Sequence, residues 1–274
     1  MEKFIKASGL PIRIATQGDN HAAEQAVVLL HGYLESLEVW DDLAQQLGKH
    51  IYTLALDLPG HGLSGSHPSI NTMELMADVV REVQAQLGIQ KIWLVGHSMG
   101  GYASLAFAQK YPQQLAGLCL FHSTPNADSP EKRTDRDREI ALIEAHKRDL
   151  LVQTTLPKMF APQNLRRMQQ AIAAMAGVLH FVDNAGIVAC IRGMKEREDT
   201  GDVLTSLRVP LLFIFGKHDV YIGWESTAQA MIKKFPHAQV AALENSGHCG
   251  FCEEPEVAVQ ALLDFVKTDG VNNG

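Results

Sequence analysis

Several features that assign proteins to large classes are missing from this sequence. No stretch approaches the roughly 18 consecutive apolar residues that a membrane helix needs, so we expect no membrane insertion. Positive charge is not in excess, since the formal net charge is -7 over 274 residues. Such a chain would repel phosphate backbones, and nucleic acid is therefore not expected as a partner. The first residues carry charges and no continuous apolar core, which argues against a signal peptide and favours a cytoplasmic location.

Cysteine is also scarce, with four residues in the whole chain. Cys119 lies in an apolar run and is predicted to be a buried thiol. Cys249 and Cys252 form a single C-x-x-C pair, a pattern found in zinc sites and redox motifs. A zinc site needs a second pair of ligands at similar spacing, and the sequence contains none. We therefore predict no metal and no cofactor.

The composition is that of an ordinary globular protein, with 46% hydrophobic and 20% charged residues. Continuous apolar runs alternate with helical patterns, as where the apolar run 26–30 precedes a one-sided pattern over 37–47. Continuous apolar runs are typical of strands buried on both faces. The alternation implies strand–helix–strand crossovers, so the predicted fold class is α/β, with a mainly parallel central sheet flanked by helices.

Two helix starts carry clear polar signals. Asn71 is expected to cap a helix that runs to about Leu87, where Gly88 follows as a stop. Ser129 followed by Pro130 is expected to begin another helix, because proline is favoured at the first helical position.

The segment 124–204 breaks the alternation and contains no convincing strand. We predict that it is an all-helical insertion acting as a lid on a single core domain made of residues 1–123 and 205–274. The segment holds twelve Lys and Arg residues and twelve Asp and Glu residues. Its charges balance, so no basic membrane-docking face is indicated.

Residues 96–100 read Gly-His-Ser-Met-Gly and match G-x-S-x-G between an apolar strand and a helix, the context that this motif requires. The small residues Gly96 and Gly100 allow the strand and the helix to pass closely. The hydroxyl of Ser98 would then project above the sheet, and the N–H of Met99 would face the same space, where it can stabilise an oxyanion.

A serine hydroxyl needs a base to remove its proton, and the chain offers 12 histidines. With its elbow motif and strand order, the sequence resembles the α/β-hydrolase superfamily, in its serine-triad, esterase-like branch with a helical lid. In that family the acid and then the histidine follow the serine. The resemblance implies His248 as the base and Asp219 as the acid, each in a loop after a strand. Glu244 stays open as a weaker alternative acid. The other acid position of the family, after the preceding strand, holds His122 and no carboxylate.

The same resemblance extends to the loop after the strand 26–30, which reads His-Gly-Tyr. It implies that the backbone N–H of Tyr33 is the second oxyanion donor, beside that of Met99, and that His31 is structural. Residues 57–64 match the family signature D-x-P-G-H-G-x-S, which we interpret as a turn-rich structural loop held by Asp57.

Substrate contacts inside the insertion are less clear. Methionine and phenylalanine line adaptable apolar pockets and also fill ordinary cores, and core packing is the favoured interpretation for any single methionine. Arg192 could reach an anionic substrate group, although a solvated helix face is favoured for it. The candidates for apolar substrate contact are Met159, Phe160, Met175 and Phe181.

The resemblance implies a serine hydrolase that cleaves an ester of a small or medium apolar substrate through an acyl-enzyme. Ser98 argues against dehalogenases and epoxide hydrolases of this fold, which carry aspartate at that position. A carbon–carbon bond hydrolase of the ring-cleavage type and a ligand receptor that retains the triad stay open as alternatives. A small-molecule substrate is the expected partner, and homo-oligomerisation is left open.

Overall fold

The computed structural model describes residues 1–19 and 24–267. An eight-stranded sheet forms its centre, in the order β1-β2-β4-β3-β5-β6-β7-β8. Its strands are β1 (Glu2–Ala7), β2 (Leu10–Gln17), β3 (Gln25–Leu30), β4 (Thr53–Leu56), β5 (Lys91–His97), β6 (Leu115–Phe121), β7 (Leu211–Gly216) and β8 (Gln239–Leu243). The strands β1, β2 and β4 pair antiparallel, and all other pairs are parallel. The predicted α/β class with a mainly parallel sheet is confirmed.

Helices follow most of the strands and cover the sheet. They are α1 (Asp41–Leu47), α2 (Met73–Gln86), α3 (Met99–Lys110), α4 (Pro130–Glu144), α5 (Arg148–Thr155), α6 (Gln169–Leu179), α7 (Asn184–Glu196), α8 (Gly201–Ser206), α9 (Gln229–Lys234), α10 (Gly250–Glu253) and α11 (Pro255–Val266). Every residue of β6 and β7 is buried, and the thiol of Cys119 lies in this core. Burial on both faces explains why these strands are apolar without alternation.

Between β6 and β7 the described chain forms helices only, from α4 to α8. This agrees with the all-helical insertion predicted for 124–204, whereas its action as a lid stays a prediction. Residues 268–274 of the predicted core domain lie outside the described residues. None of the described helices is by itself long and apolar enough to cross a membrane, and α6 and α7 reach that length and composition only as a pair bent by 106°.

The cap of α2 differs from the prediction. Thr72 is the capping residue, and its hydroxyl accepts the N–H of Leu75 at 3.1 Å. The prediction of Asn71 was wrong because its buried side chain is used elsewhere: its amide donates to the carbonyl of Pro59 at 3.2 Å. The predicted start of α4 is correct, since Ser129 accepts the N–H of Lys132.

Parallel pairing determines where the candidate site lies. Because β3, β5, β6, β7 and β8 all run in the same direction, their carboxyl ends meet at one edge of the sheet. The loops that leave this edge carry Tyr33, Ser98, Asp219 and His248.

Candidate active site

Ser98 stands between β5 and α3 in a strained backbone conformation, with φ at 49° and ψ at -112°. A positive φ is costly for a residue with a side chain and persists where the surroundings impose it. Here the surroundings are tight: a Cβ on Gly96 would lie 2.3 Å from the carbonyl oxygen of Gly100, and a Cβ on Gly100 would lie 2.3 Å from that of Leu30. The two glycines therefore permit the sharp turn that presents Ser98.

An imidazole and a carboxylate meet at the same edge. Nδ1 of His248 lies 2.7 Å from Oδ2 of Asp219, and both side chains are buried. The other oxygen of Asp219 accepts the backbone N–H groups of Tyr221 and Ile222 at 2.8 and 3.0 Å. Glu244, the alternative acid, is 68% exposed and pairs with Lys217. The structure thus brings Asp219, and not Glu244, to the histidine.

A second imidazole reaches the same carboxylate, a feature that the sequence interpretation missed. Nδ1 of His122 lies 3.2 Å from Oδ2 of Asp219, while its Nε2 accepts the N–H of Gly250 at 3.3 Å. Because Nε2 accepts a hydrogen bond, a neutral ring carries its proton on Nδ1 and donates it to Asp219, although the backbone nitrogen of Gly216 also lies 3.1 Å from Nδ1. The available signal was its place directly after β6, where some relatives carry the acid.

Donors on both oxygens keep Asp219 ionised. Burial alone would raise the pKa of this carboxyl, but the charge of His248 and the hydrogen bonds from His122 and His248 hold it below its usual range. For His122, burial outweighs the attraction of Asp219 and lowers the pKa of the imidazole to about 4. The carboxylate therefore carries a negative charge beside two imidazoles.

His97, directly before Ser98, links the loops of the site. Its Nε2 donates to the carbonyl of His248 at 2.8 Å, and the two imidazole rings lie 4.8 Å apart. Its Nδ1 lies 2.9 Å from Oε2 of Glu35, an oxygen that also accepts the N–H of Gly32 at 2.5 Å. One buried pair thus joins the loops after β3, β5 and β8. Within residues 1–19 and 24–267, the hydroxyl of Ser98 makes no hydrogen bond, and therefore none to His248.

The same pair is charged. Burial would lower the pKa of His97 and raise that of Glu35, but their mutual attraction and hydrogen bond outweigh burial, so the pKa of His97 is raised and that of Glu35 lowered. Sequence reasoning did not select either residue, because a long-range pair leaves no local pattern.

The two candidate oxyanion donors lie beside the turn at Ser98. A Cβ on Gly100 would touch the carbonyl oxygens of Leu30 and His31, which places the start of α3 against the loop that carries Tyr33. Neither the N–H of Tyr33 nor that of Met99 has a hydrogen-bond partner in the described part of the chain. Both are therefore available to a ligand.

Two residues interpreted as structural hold the surrounding loops. His31 bridges the carbonyl of Gly32 at 2.8 Å and the N–H of Leu58 at 3.0 Å. Asp57 accepts the N–H groups of Leu37 and Leu63 at 2.8 and 2.9 Å. These contacts fix the loops after β3 and β4 to each other.

The candidate apolar contacts of the insertion separate into two groups. The carbonyl of Met159 accepts the N–H of His248 at 2.6 Å, and a Cβ on Gly247 would meet Phe160, so both residues adjoin the histidine loop. Met175 is buried in the hydrophobic core that the insertion shares with the sheet. Phe181 is 77% exposed, and the structure does not bring it together with the others because its ring faces solvent.

In the described part of the chain, the side chains that could bind a metal together are ones already placed in this site. Among residues 1–19 and 24–267, only His122, Asp219 and His248 bring three ligand atoms within 4.8 Å of one another. Cys249 and Cys252 are free thiols, and burial raises the pKa of both, that of Cys252 to about 12. Raised pKa values disfavour the thiolates that zinc requires.

The chain is similar to several known proteins. It is 27% identical to a pimeloyl-[acyl-carrier protein] methyl ester esterase of Yersinia enterocolitica, over 88% of this chain and 93% of that protein. It is 26% identical to the monoacylglycerol lipase ABHD6 of Bos taurus, over 88% of this chain and 75% of that protein. A thermophilic esterase from Thermogutta terrifontis shares 28% identity with a TM-score of 0.90, covering 97% of this chain and 98% of that one.

A family model describing the α/β-hydrolase fold matches residues 25–255. The match spans the sheet from β3 to β8, the insertion and all the loops of the candidate site. The predictions of the family and of an enzyme of the hydrolase class are confirmed. This chain belongs to the α/β-hydrolase fold family.

Proposed function

We propose that the protein is a serine hydrolase that cleaves carboxylic esters through an acyl-enzyme, with Ser98 as nucleophile, His248 as base and Asp219 as acid. The observation that carries the proposal is the buried 2.7 Å contact between His248 and Asp219 at the sheet edge from which Ser98 projects. The names of the relatives, a methyl ester esterase, a monoacylglycerol lipase and an esterase, favour an ester over other carbonyl compounds.

The first step follows from the chemistry of the groups. Nε2 of His248 removes the proton of Ser98 as the hydroxyl attacks the ester carbonyl, while Asp219 stabilises the imidazolium through Nδ1. The N–H groups of Tyr33 and Met99 hold the oxygen that becomes negative. Catalytic hydrogen bonds often shorten only when substrate binds, so an unbonded Ser98 hydroxyl is compatible with this role.

The second step regenerates the serine. His248 gives its proton to the departing alkoxide, and a water molecule then attacks the acyl-enzyme with His248 again acting as base. The product acid leaves with Ser98 restored. No metal or cofactor is required for these transfers.

The insertion 124–204 is proposed to be the lid that covers this reaction. Two contacts support it: the Arg136 guanidinium of α4 lies 5.9 Å from the ring of Tyr33, and Met159 accepts the N–H of His248. A cover of this kind excludes water from the acyl-enzyme until the alcohol has left.

The test is labelling with a fluorophosphonate followed by mapping of the modified residue. We expect modification of Ser98, and we expect Ser98→Ala to lower kcat on aryl esters by about a factor of 10⁶ without loss of folding. Ser206→Ala, which alters an exposed serine, is the control. Modification elsewhere, or an active Ser98→Ala enzyme, would overturn the mechanism, whereas turnover of a vinylogous diketone in preference to esters would identify a carbon–carbon hydrolase.

A further inference from the structure

Helix α4 brings two cationic side chains over the proposed catalytic groups. Lys132 and Arg136 are four residues apart and therefore share one face of the helix. The ammonium of Lys132 lies 5.6 Å from the ring centre of Tyr221, and that ring lies 5.0 Å from the imidazole of His248. The guanidinium of Arg136 lies 5.9 Å from the ring of Tyr33, whose N–H is a proposed oxyanion donor. One aromatic ring thus separates Lys132 from His248, and Arg136 lies beside the side chain of a proposed oxyanion donor.

Of the cations at this end of α4, Lys132 is left without an ion pair in the described part of the chain. Arg136 pairs with Asp128 at 3.2 Å and with Glu139 at 3.5 Å, and Arg197 pairs with Asp128 at 2.7 Å. Lys132 makes no ion pair and no hydrogen bond through its ammonium in the part of the chain that the structure describes. Lys132 is therefore the cation of this group without a hydrogen-bonded carboxylate, and Glu139, Asp128 and Asp135 act on it only through their charges.

A buried hydroxyl in the loop beneath Arg136 also lacks a partner in the described part of the chain. The phenol oxygen of Tyr33 has almost no solvent exposure and no hydrogen bond with any described residue. Burial and the nearby Glu139 raise the pKa of this phenol, so it remains a neutral donor. Leaving such a group unsatisfied is costly, and buried polar groups in proteins are nearly always paired. An acceptor supplied by a ligand would satisfy it.

The half-buried position of Lys132 carries an energetic cost that a solvated lysine would avoid. Burial and the neighbouring Arg136 both lower the pKa of this lysine, because they disfavour its charged form. The ring of Tyr221 offsets this cost only in part. A lysine with no role beyond the solvated face of the helix would extend into solvent, as the adjacent Arg133 does.

We propose that the ester substrate carries an anionic group, which Lys132 and the hydroxyl of Tyr33 bind beneath α4. The inference rests on the proposed ester hydrolysis and adds to it the class of substrate. A carboxylate or a phosphate would accept a hydrogen bond from both groups and give the ammonium of Lys132 an ion pair.

The test compares monomethyl esters of dicarboxylic acids, from succinate to suberate, with methyl alkanoates of equal length, and includes methyl phosphonoalkanoates. The measured quantity is the ratio of kcat/KM for the anionic ester to that for the neutral ester. We expect a ratio well above one for at least one chain length, and a fall of about tenfold or more in Lys132→Met, which keeps the length and removes the charge. Arg133→Met is the matched control and should keep the wild-type ratio.

The two kinds of anionic ester distinguish between a carboxylate and a phosphate as the bound group. A higher ratio for the phosphonates would identify a phosphate as the anion, and a higher ratio for the monoesters a carboxylate. A ratio below one for every anion, or an unchanged ratio in Lys132→Met, would overturn the inference.

A binding experiment separates this inference from the proposed chemistry. Titration of dicarboxylates into Ser98→Ala by calorimetry needs no turnover, and adding Lys132→Met should weaken binding by about tenfold. If no ester is hydrolysed but this loss is seen, the anion site stands and the proposed reaction fails. If Ser98→Ala with and without Lys132→Met bound dicarboxylates equally well, the proposed anion site would be wrong, whether or not the protein hydrolyses esters.

Discussion

At the scale of single residues, the sequence predicted the groups that carry local signals. Ser98 lies in a contiguous motif, and Asp219 and His248 follow recognisable strands, so their positions could be found without coordinates. His122, Glu35 and His97 could not be singled out as partners, because their contacts join loops far apart in the chain. Long-range pairing is decided by the register of the sheet, which no local pattern specifies.

The Glu35–His97 pair supports a prediction about positioning. In Glu35→Gln the single amide oxygen cannot carry the charge that holds both the N–H of Gly32 and the imidazolium. We expect the loops after β3 and β8 to loosen and kcat on esters to fall by about tenfold with little change in KM, because alignment rather than binding is lost. Steady-state kinetics on an aryl ester measures both constants.

The same variant has a distinct pH signature. The lowered pKa of Glu35 adds stability above its ordinary value of 4.5, and the raised pKa of His97 adds stability below its ordinary value of 6.5. The loss of unfolding free energy in Glu35→Gln, about 3 kcal/mol, should be largest between these values and shrink as alkaline pH discharges His97. Glu38→Gln, in the same loop, is the control for kcat. A pH-independent loss with unchanged kcat would indicate packing only.

At the scale of elements, strand and helix positions followed from the pattern, while helix ends depended on competition between neighbours. Asn71 and Thr72 are both residues that favour N-caps. Tertiary structure decides between them, since the amide of Asn71 bonds to Pro59 and Cys190, from a different loop and from α7. The sequence alone does not reveal that this side chain is occupied.

The cap of α2 can be tested directly. Thr72→Ala removes the acceptor for the N–H of Leu75, and we expect a loss of about 1 kcal/mol in unfolding free energy, measured by urea denaturation. Helix α2 packs against α3, which begins directly after Ser98. The hydroxyl of Thr72 bonds only to Leu75 within the described residues, so kcat should be unchanged. Thr134→Ala, at an exposed position of α4, should cost less. Equal stability of Thr72→Ala and the wild type would show that the cap does not contribute.

At the scale of the whole molecule, the insertion and the core are joined by one buried carboxylate. Glu253 accepts the N–H of Gly247 from the histidine loop, and the N–H of Ala161 and the amide of Asn164 from the insertion. This carboxylate therefore ties the insertion directly to the loop that carries His248. Alternating strands predicted the architecture, but which face of α4 lies over the site could be learned only from the packed structure.

Buried neutral histidines determine how the whole fold responds to acid. Burial lowers the pKa of His122 to about 4, and burial together with His31 lowers that of His61 well below its usual range. Between pH 6.5 and about 4 the unfolded chain therefore binds protons that the native protein does not. Because the unfolded state gains these protons, the free energy of unfolding should fall as the pH drops through this window.

His122→Asn separates this contribution from the other acid-sensitive groups. The variant should be less stable than the wild type at pH 7, since the N–H of Gly250 loses its acceptor and Asp219 loses a donor. Its further loss between pH 7 and pH 5 should be smaller than that of the wild type by about 2 kcal/mol, because one histidine no longer takes up a proton on unfolding. Urea denaturation at the two pH values measures the difference, with the exposed His146→Asn as control. If His122→Asn and the wild type lost stability in parallel, His122 would have to be protonated in the native state, and its role as a neutral donor to Asp219 would be withdrawn.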